Sequence, residues 1–158
     1  MREILFRGKR TDNGEWVYGY VGVFKGITQI FVPFTEEEEK ENEGHIFSCI
    51  GGLWYTVNPE TVGQFTGLTD KNGKKFFVGD VIKTDNGKQK AISVVKYGNF
   101  RPKMIYHMFR NYIGYEPKQD QHGVYCETEK EQMMLFDSPA CIEVIGNIHD
   151  NPEPPKEE

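Results

Sequence analysis

Ten cations fall between residues 71 and 110: Lys71, Lys74, Lys75, Lys83, Lys88, Lys90, Lys96, Arg101, Lys103 and Arg110. Phe76, Phe77, Tyr97, Phe100, Tyr106 and Phe109 are interleaved with them. Cations neutralise phosphates and rings stack on bases, so this pattern suits nucleic acid. On this reading the candidate nucleic-acid-binding residues are Lys71, Lys74, Lys75, Lys88, Lys90, Lys96, Arg101 and Lys103. The competing reading makes the rings a core and the lysines the wet face of the same strands. A second constellation is Trp16, Tyr18 and Tyr20, which alternate with Val17, Gly19 and Val21. A period of two puts the three rings on one face of a strand. Trp and Tyr are enriched at protein interfaces, so these three are the candidate oligomer contact. Trp54-Tyr55 is a second ring cluster open to the same two readings, core or interface.

Catalytic chemistry is poorly signalled. There is no phosphate-cradling glycine loop, no H-E-x-x-H and no G-x-S-x-G. His122, Cys126 and Cys141 would suit zinc by type, but a fourth ligand is not evident, so no metal or other cofactor is expected. Free cysteine packs as a small hydrophobe, which is the simpler role for these thiols. Asp80, Asp85, Asp120 and Asp137 could pair as acid and base or hold magnesium. Asp80 and Asp85, however, sit beside glycines, where Asp serves a turn. The expectation is a protein that is not an enzyme.

The 158 residues suffice for one domain or two small ones, and 13% are aromatic, enough rings for a core. No apolar run approaches the ~20 residues that cross a bilayer, and the N-terminal MREILFRGKR has no apolar signal core. A cytoplasmic chain with no membrane partner is expected. Three widely spaced cysteines, Cys49, Cys126 and Cys141, fit reduced thiols.

The net charge of −5 is unevenly spread. Residues 36–43 carry −5, residues 71–110 carry +8, residues 111–150 carry −6 and the tail 151–158 carries −2. Such asymmetry marks a polyanion site or two surfaces that pair with each other. The acidic run 36–43 reads as a solvated loop or a short exposed helical turn.

Strands are expected at Ile4–Phe6, Glu15–Phe24, Ile27–Phe34 and within His45–Val57, with a tight turn at Thr11-Asp12-Asn13-Gly14. Residues 66–80 are dense in turn signals, including Asp70-Lys71-Asn72-Gly73. Short strands follow at Val81–Lys83, Gln89–Tyr97 and Phe100–Tyr106, with a turn at Gly98-Asn99, in the manner of a small barrel. Glu116–Gly123 reads as a polar loop, Glu127–Phe136 as a helix and Cys141–Ile148 as a strand. The Pro- and Glu-rich tail is expected to be disordered.

Three segments, EILFRGKRTDNGEWVYGY, PETVGQFTGLTDKNGKKFFVGDVI and VIGNIHDNPE, taken in this order, resemble the YopX protein family of bacteriophages and prophages of Gram-positive bacteria. The run 36–43 and residues 107–136 fit that pattern poorly. The resemblance implies an α+β part that takes part in subunit association, an SH3-like barrel and homo-oligomers. It implies no activity and no catalytic residue. The expected fold is therefore α+β, mainly β. Residues 1–67 form the association subdomain, 68–150 the SH3-like barrel and 151–158 the disordered tail. The expected function is that of a phage-encoded, self-associating binding or scaffold protein in the host cytoplasm, with a host or phage protein as possible partner. The alternative is a nucleic-acid-binding accessory protein that uses 71–110.

Overall fold

The computed structural model describes residues 3–41, 51–85, 90–100, 121–127, 132–134 and 141–151. The chain divides into two compact units, Met1–Phe65 and Thr66–Glu158. The division falls two residues before the one read from sequence.

The first unit is an antiparallel sheet. Its strands are β1 (Phe6–Lys9), β2 (Trp16–Phe24), β3 (Ile27–Pro33), β4 (Gly52–Thr56) and the start of β5 (Gly63–Thr69). Their order in the sheet is β4-β3-β2-β1-β5. The β1–β2 turn closes on Gly14 at φ 74°, and the β2–β3 turn uses Lys25 and Gly26 at φ 49° and 79°. Gly14 and Gly26 adopt these angles without a Cβ penalty, and Lys25 is the non-glycine residue among the three. One face of the sheet is the core, with Ile30 and Val57 fully buried.

Gly8 leaves room on that face for the Ile30 and Val57 side chains, and Gly19 lets the β2 backbone approach that of β3. A Cβ at Gly19 would lie 1.9 Å from the carbonyl oxygen of Phe31. Gly19→Ala is therefore expected to prise β2 from β3 and cost about 3 kcal/mol, at the upper end for overpacking. Thermal unfolding of the variant checks this, and an unchanged midpoint would contradict it.

The acidic run begins as helix α1 (Glu36–Glu41), which buries no residue. Thr35 and Glu38 cap it reciprocally: the Glu38 carboxylate accepts from the Thr35 amide at 2.8 Å, and Thr35 Oγ1 accepts from the Glu38 amide at 3.3 Å. The bond from the Thr35 amide lowers the Glu38 carboxyl pKa. This is the exposed helical turn that the charge density demands. A 3-10 turn, Pro59–Thr61, is capped by Asn58, whose side chain accepts from the Glu60 amide at 3.1 Å.

The second unit takes the rest of β5, then β6 (Lys75–Phe77), β7 (Asp80–Asp85), β8 (Lys90–Phe100), β9 (Gln121–Glu127), β10 (Gln132–Met134) and β11 (Ile142–Asn147). Five of these form an antiparallel sheet in the order β10-β9-β8-β7-β11. Its core is Phe76, Ile82, Val95, Cys126 and Ile142, with Leu68, Val124 and Val144 packed around them. Among the described residues this sheet is open, with β10 and β11 at its edges, and no closed barrel forms.

Several expectations are corrected. Residues 66–80 hold the end of β5 and all of β6 around the Asp70–Gly73 turn, the hairpin its Asn-Gly pair signals, and β5 and β6 are neighbours in the first sheet. The first strand runs from Phe6 to Lys9, later than Ile4–Phe6. Gly98-Asn99 is not a turn: β8 continues through it, with Gly98 opposite Gly123, both at positive φ (150° and 156°). The polar loop 116–123 gives way to strand from Gln121. Within 127–136, Met133 and Met134 belong to a strand that pairs with Cys126 and Tyr125. Cross-strand pairing thus overrides a weak helical period there. The tail beyond Asn151 lies outside the described residues.

Candidate association surface

The register of the first sheet extends the ring stripe far beyond one strand. Lys9 lies opposite Trp16 and Arg7 opposite Tyr18. Tyr20 lies opposite Phe31, and Phe24 opposite Ile27. Phe31 in turn lies opposite Trp54. Residues paired directly across strands share a face. Trp16, Tyr18, Tyr20, Phe24, Phe31 and Trp54 therefore form one aromatic field over β2, β3 and β4.

The field is open. Tyr18 is 47% exposed, Tyr20 52%, Phe24 68%, Ile27 51% and Trp54 50%. With each buried ring worth 150–250 Å² of surface, these five side chains present about 500 Å² of accessible area. That is at the upper end of what a soluble monomer shows in one patch. The rings are positioned rather than loose. Phe31 and Trp54 pack at 5.1 Å between centroids, tilted by 44°. A Cβ at Gly22 would meet the Trp54 ring at 2.9 Å, so the glycine is the seat of that indole. The Arg7 guanidinium lies 4.6 Å from the Trp16 ring centre and the Lys9 ammonium 5.6 Å from it. These are cation–π distances, and they fix Trp16 along β1. On the opposite face, Arg10 covers Tyr55 at 4.4 Å and pairs with Asp12. The two halves of Trp54-Tyr55 thus part: the tryptophan joins the open field, and Tyr55 turns away from it.

Among the described residues, three of the 71–110 cations are paired with acids. Lys71 pairs with Glu143 at 2.6 Å, Lys96 with Glu127, and Lys90 with Asp85 at 3.7 Å. Glu143 raises the pKa of Lys71, chiefly through their hydrogen bond. Two of the three partner acids come from 111–150, so the charge asymmetry between these segments is met in part across strands. Lys74 and Lys75 are exposed beside the β5–β6 turn. Lys88, Arg101 and Lys103 lie outside the described residues.

The family model for YopX protein matches residues 5–154. The chain belongs to the YopX protein family. The comparison with curated proteins finds no match. The YopX match takes in the second and third sequence segments and all but the first two residues of the first, and the structure shows what two of them do. In β7 and β11, Asn147 lies opposite Asp80, and the Ile148 amide donates to the Gly79 carbonyl at 2.9 Å. The segments FFVGDVI and VIGNIHD are thus two sides of one ladder. Buried Asp80 accepts from the Phe77 amide at 2.7 Å, and Asn147 Oδ1 accepts from the amides of His149 and Asp150, each at 2.9 Å.

Asp70 accepts three backbone hydrogen bonds in this YopX chain. One carboxylate oxygen accepts from the amides of Asn72 (2.8 Å) and Lys74 (2.9 Å), and the other from the Val144 amide (3.1 Å). Only 3% of Asp70 is exposed. Burial pushes its carboxyl pKa up, but the three amides outweigh that and hold it below the ordinary value. Sequence reasoning read Asp70 as a turn residue alone. The third donor, from β11, had no local signal.

No group of three or more potential metal ligands forms among the described residues. His122 bonds the Asn99 side chain at 2.7 Å, while Cys126 is packed in the core. Asp80 and Asp85 occupy opposite ends of β7, and Asp120 and Asp137 lie outside the described residues. Among the described residues no helix is long and apolar enough to cross a membrane. Burial pushes the Cys126 thiol up to about 12. In a Cys49→Ser, Cys141→Ser chain, Cys126 is expected to react with an aromatic disulfide at pH 8 at least a hundredfold slower folded than unfolded. Thiol release followed by absorbance checks this, and equal rates would contradict it.

Proposed function

We propose that this YopX protein is a non-enzymatic, self-associating binding or scaffold protein, and that the aromatic face of β2–β4 is the contact between subunits. The single observation that carries the reading is the openness of that face. Half-exposed Trp and Tyr side chains held in fixed positions are what interface hot spots are made of. A patch of about 500 Å² approaches the ~800 Å² per partner of a standard interface. Self-association then displays the second unit in multiple copies, which raises avidity for a host or phage protein without a new contact. The proposal includes a phage or prophage origin, a place in the host cytoplasm, and an SH3-like character for the second unit. The β7–β10 meander with β11 returning beside β7 supports that last point.

The ion pairs of Lys71 and Lys96 favour the scaffold reading over nucleic-acid binding through 71–110. The test is the solution mass of the untagged chain, by light scattering after gel filtration, with and without short DNA and RNA at two salt concentrations. A fixed multiple of the 18.3 kDa chain mass, indifferent to nucleic acid, is expected. A complex with nucleic acid that forms at low salt and is lost at high salt would overturn the reading in favour of the 71–110 cations.

A further inference from the structure

Resting on the self-association reading, we infer that the aromatic face takes the proline-rich acidic segment 152–158 of a second copy of the chain.

Four observations carry it. The first is chemical type. Aromatic-lined surfaces recognise proline-rich segments because the polyproline II conformation is preformed and its rings lie flat on other rings. Residues 152–158 read Pro-Glu-Pro-Pro-Lys-Glu-Glu, with prolines at 152, 154 and 155. Proline fixes φ near the polyproline II value, so little freedom remains to be lost on docking. Pro152 and Pro155 have the P-x-x-P spacing that places two rings on one side of a three-residue turn.

The second observation is charge. The segment carries Glu153, Glu157 and Glu158 against one lysine. The aromatic field has Lys9 at its β1 side and Lys25 at the β2–β3 turn, where the Lys25 ammonium is 5.5 Å from the Phe24 ring centre. The two lysines lie about 30 Å apart along β2, so the acids that flank the prolines meet one of these ammonium groups and not both. A generic polyanion is less well suited, because the same unit bears the acidic helix α1.

The third is reach. Seven residues in polyproline II span about 20 Å, at roughly 3.1 Å each. The four strands β1 to β4 are three spacings wide, about 14 Å. The segment is long enough to cross the whole field.

The fourth is supply. The face and the segment occur in one chain, so every copy brings one of each. Exchange between copies is then a head-to-tail contact, which closes into a ring or continues as an array according to its geometry.

The chain contains a built-in reporter. Its two tryptophans, Trp16 and Trp54, both lie on the proposed face. The test uses the full chain with Pro152→Ser, Pro154→Ser and Pro155→Ser together. Its mass and tryptophan emission are compared with wild type, and a synthetic peptide of residues 151–158 is then titrated in. The expected result is a lower mass, a red-shifted emission, and reversal of that shift by the peptide in a saturable way. A peptide with the same three serines should bind at least tenfold more weakly. Wild-type mass and emission in the variant, with no saturable response to peptide, would overturn the inference. If the variant keeps its mass while a Tyr20→Glu, Phe24→Glu chain loses it, the face joins subunits by another contact: the inference fails and the self-association reading stands. If the wild-type chain is a monomer, that reading fails, and exchange between copies with it. An oligothymidine that quenches both tryptophans where the peptide does not would overturn the inference in favour of base stacking.

Discussion

Replacing Asp70 with alanine is expected to destabilise the second unit by about 3 kcal/mol, since it strands three amide donors at once. The donors belong to Asn72, Lys74 and Val144, so the loss is felt both in the β5–β6 turn and at β11. Asp70→Asn should cost less, because it keeps one acceptor oxygen, but its amide group then faces an N–H donor on the other side. The pH dependence has a definite sign. The carboxyl pKa is lower in the folded chain than in the unfolded one. The folded state therefore binds fewer protons near the pKa, and the stabilisation is complete above the unfolded value of about 4. It is lost as pH falls through the lowered folded value. Denaturant unfolding at pH 7 and pH 3 checks this. The wild-type chain should lose more stability between those two pH values than Asp70→Asn does. Equal losses would show that the carboxylate does not govern the acid limb.

Introducing charge on the open face is the second large effect. Tyr20→Glu with Phe24→Glu should abolish self-association, raising the dissociation constant at least a hundredfold. Two exposed rings at the centre of an interface each contribute on the order of 2 kcal/mol, and like charges would then oppose one another across the contact. Both side chains are more than half exposed, so the fold should survive. Far-ultraviolet circular dichroism and the melting midpoint should stay near wild type while the mass falls to that of one chain. An unchanged mass would remove this face as the contact. A collapsed midpoint would mean that the rings serve the fold, and the surface argument would fail on that ground instead.

The features legible in the sequence were those with a local cause. Asn13-Gly14 and Asp70–Gly73 announced turns because their backbone angles need those residues. The alternation of Trp16, Tyr18 and Tyr20 announced a strand with a ringed face, and the density of Glu in 36–43 announced an exposed turn. What escaped depended on partners distant in the chain. Strand β5 contains Gly63 and Gly67 and has little strand character of its own; its start exists because Phe6 and Arg7 pair with it. Gly98 looked like a turn because its tolerance of positive φ is a turn property, yet here it lies opposite Gly123 within a ladder. The aromatic field was half visible. Phe31 and Trp54 join Tyr20 only through the register of β3 and β4. The cations of 71–110 could be counted, but the acids that pair with Lys71 and Lys96 lie 72 and 31 residues along the chain, and counting does not reveal them.

The most direct measurement is the solution mass of the untagged full chain, by light scattering across micromolar concentrations, set beside its Tyr20→Glu, Phe24→Glu variant. The account predicts a whole multiple of 18.3 kDa for the wild-type chain and 18.3 kDa for the variant. A wild-type chain that elutes as a single copy at every concentration would contradict it.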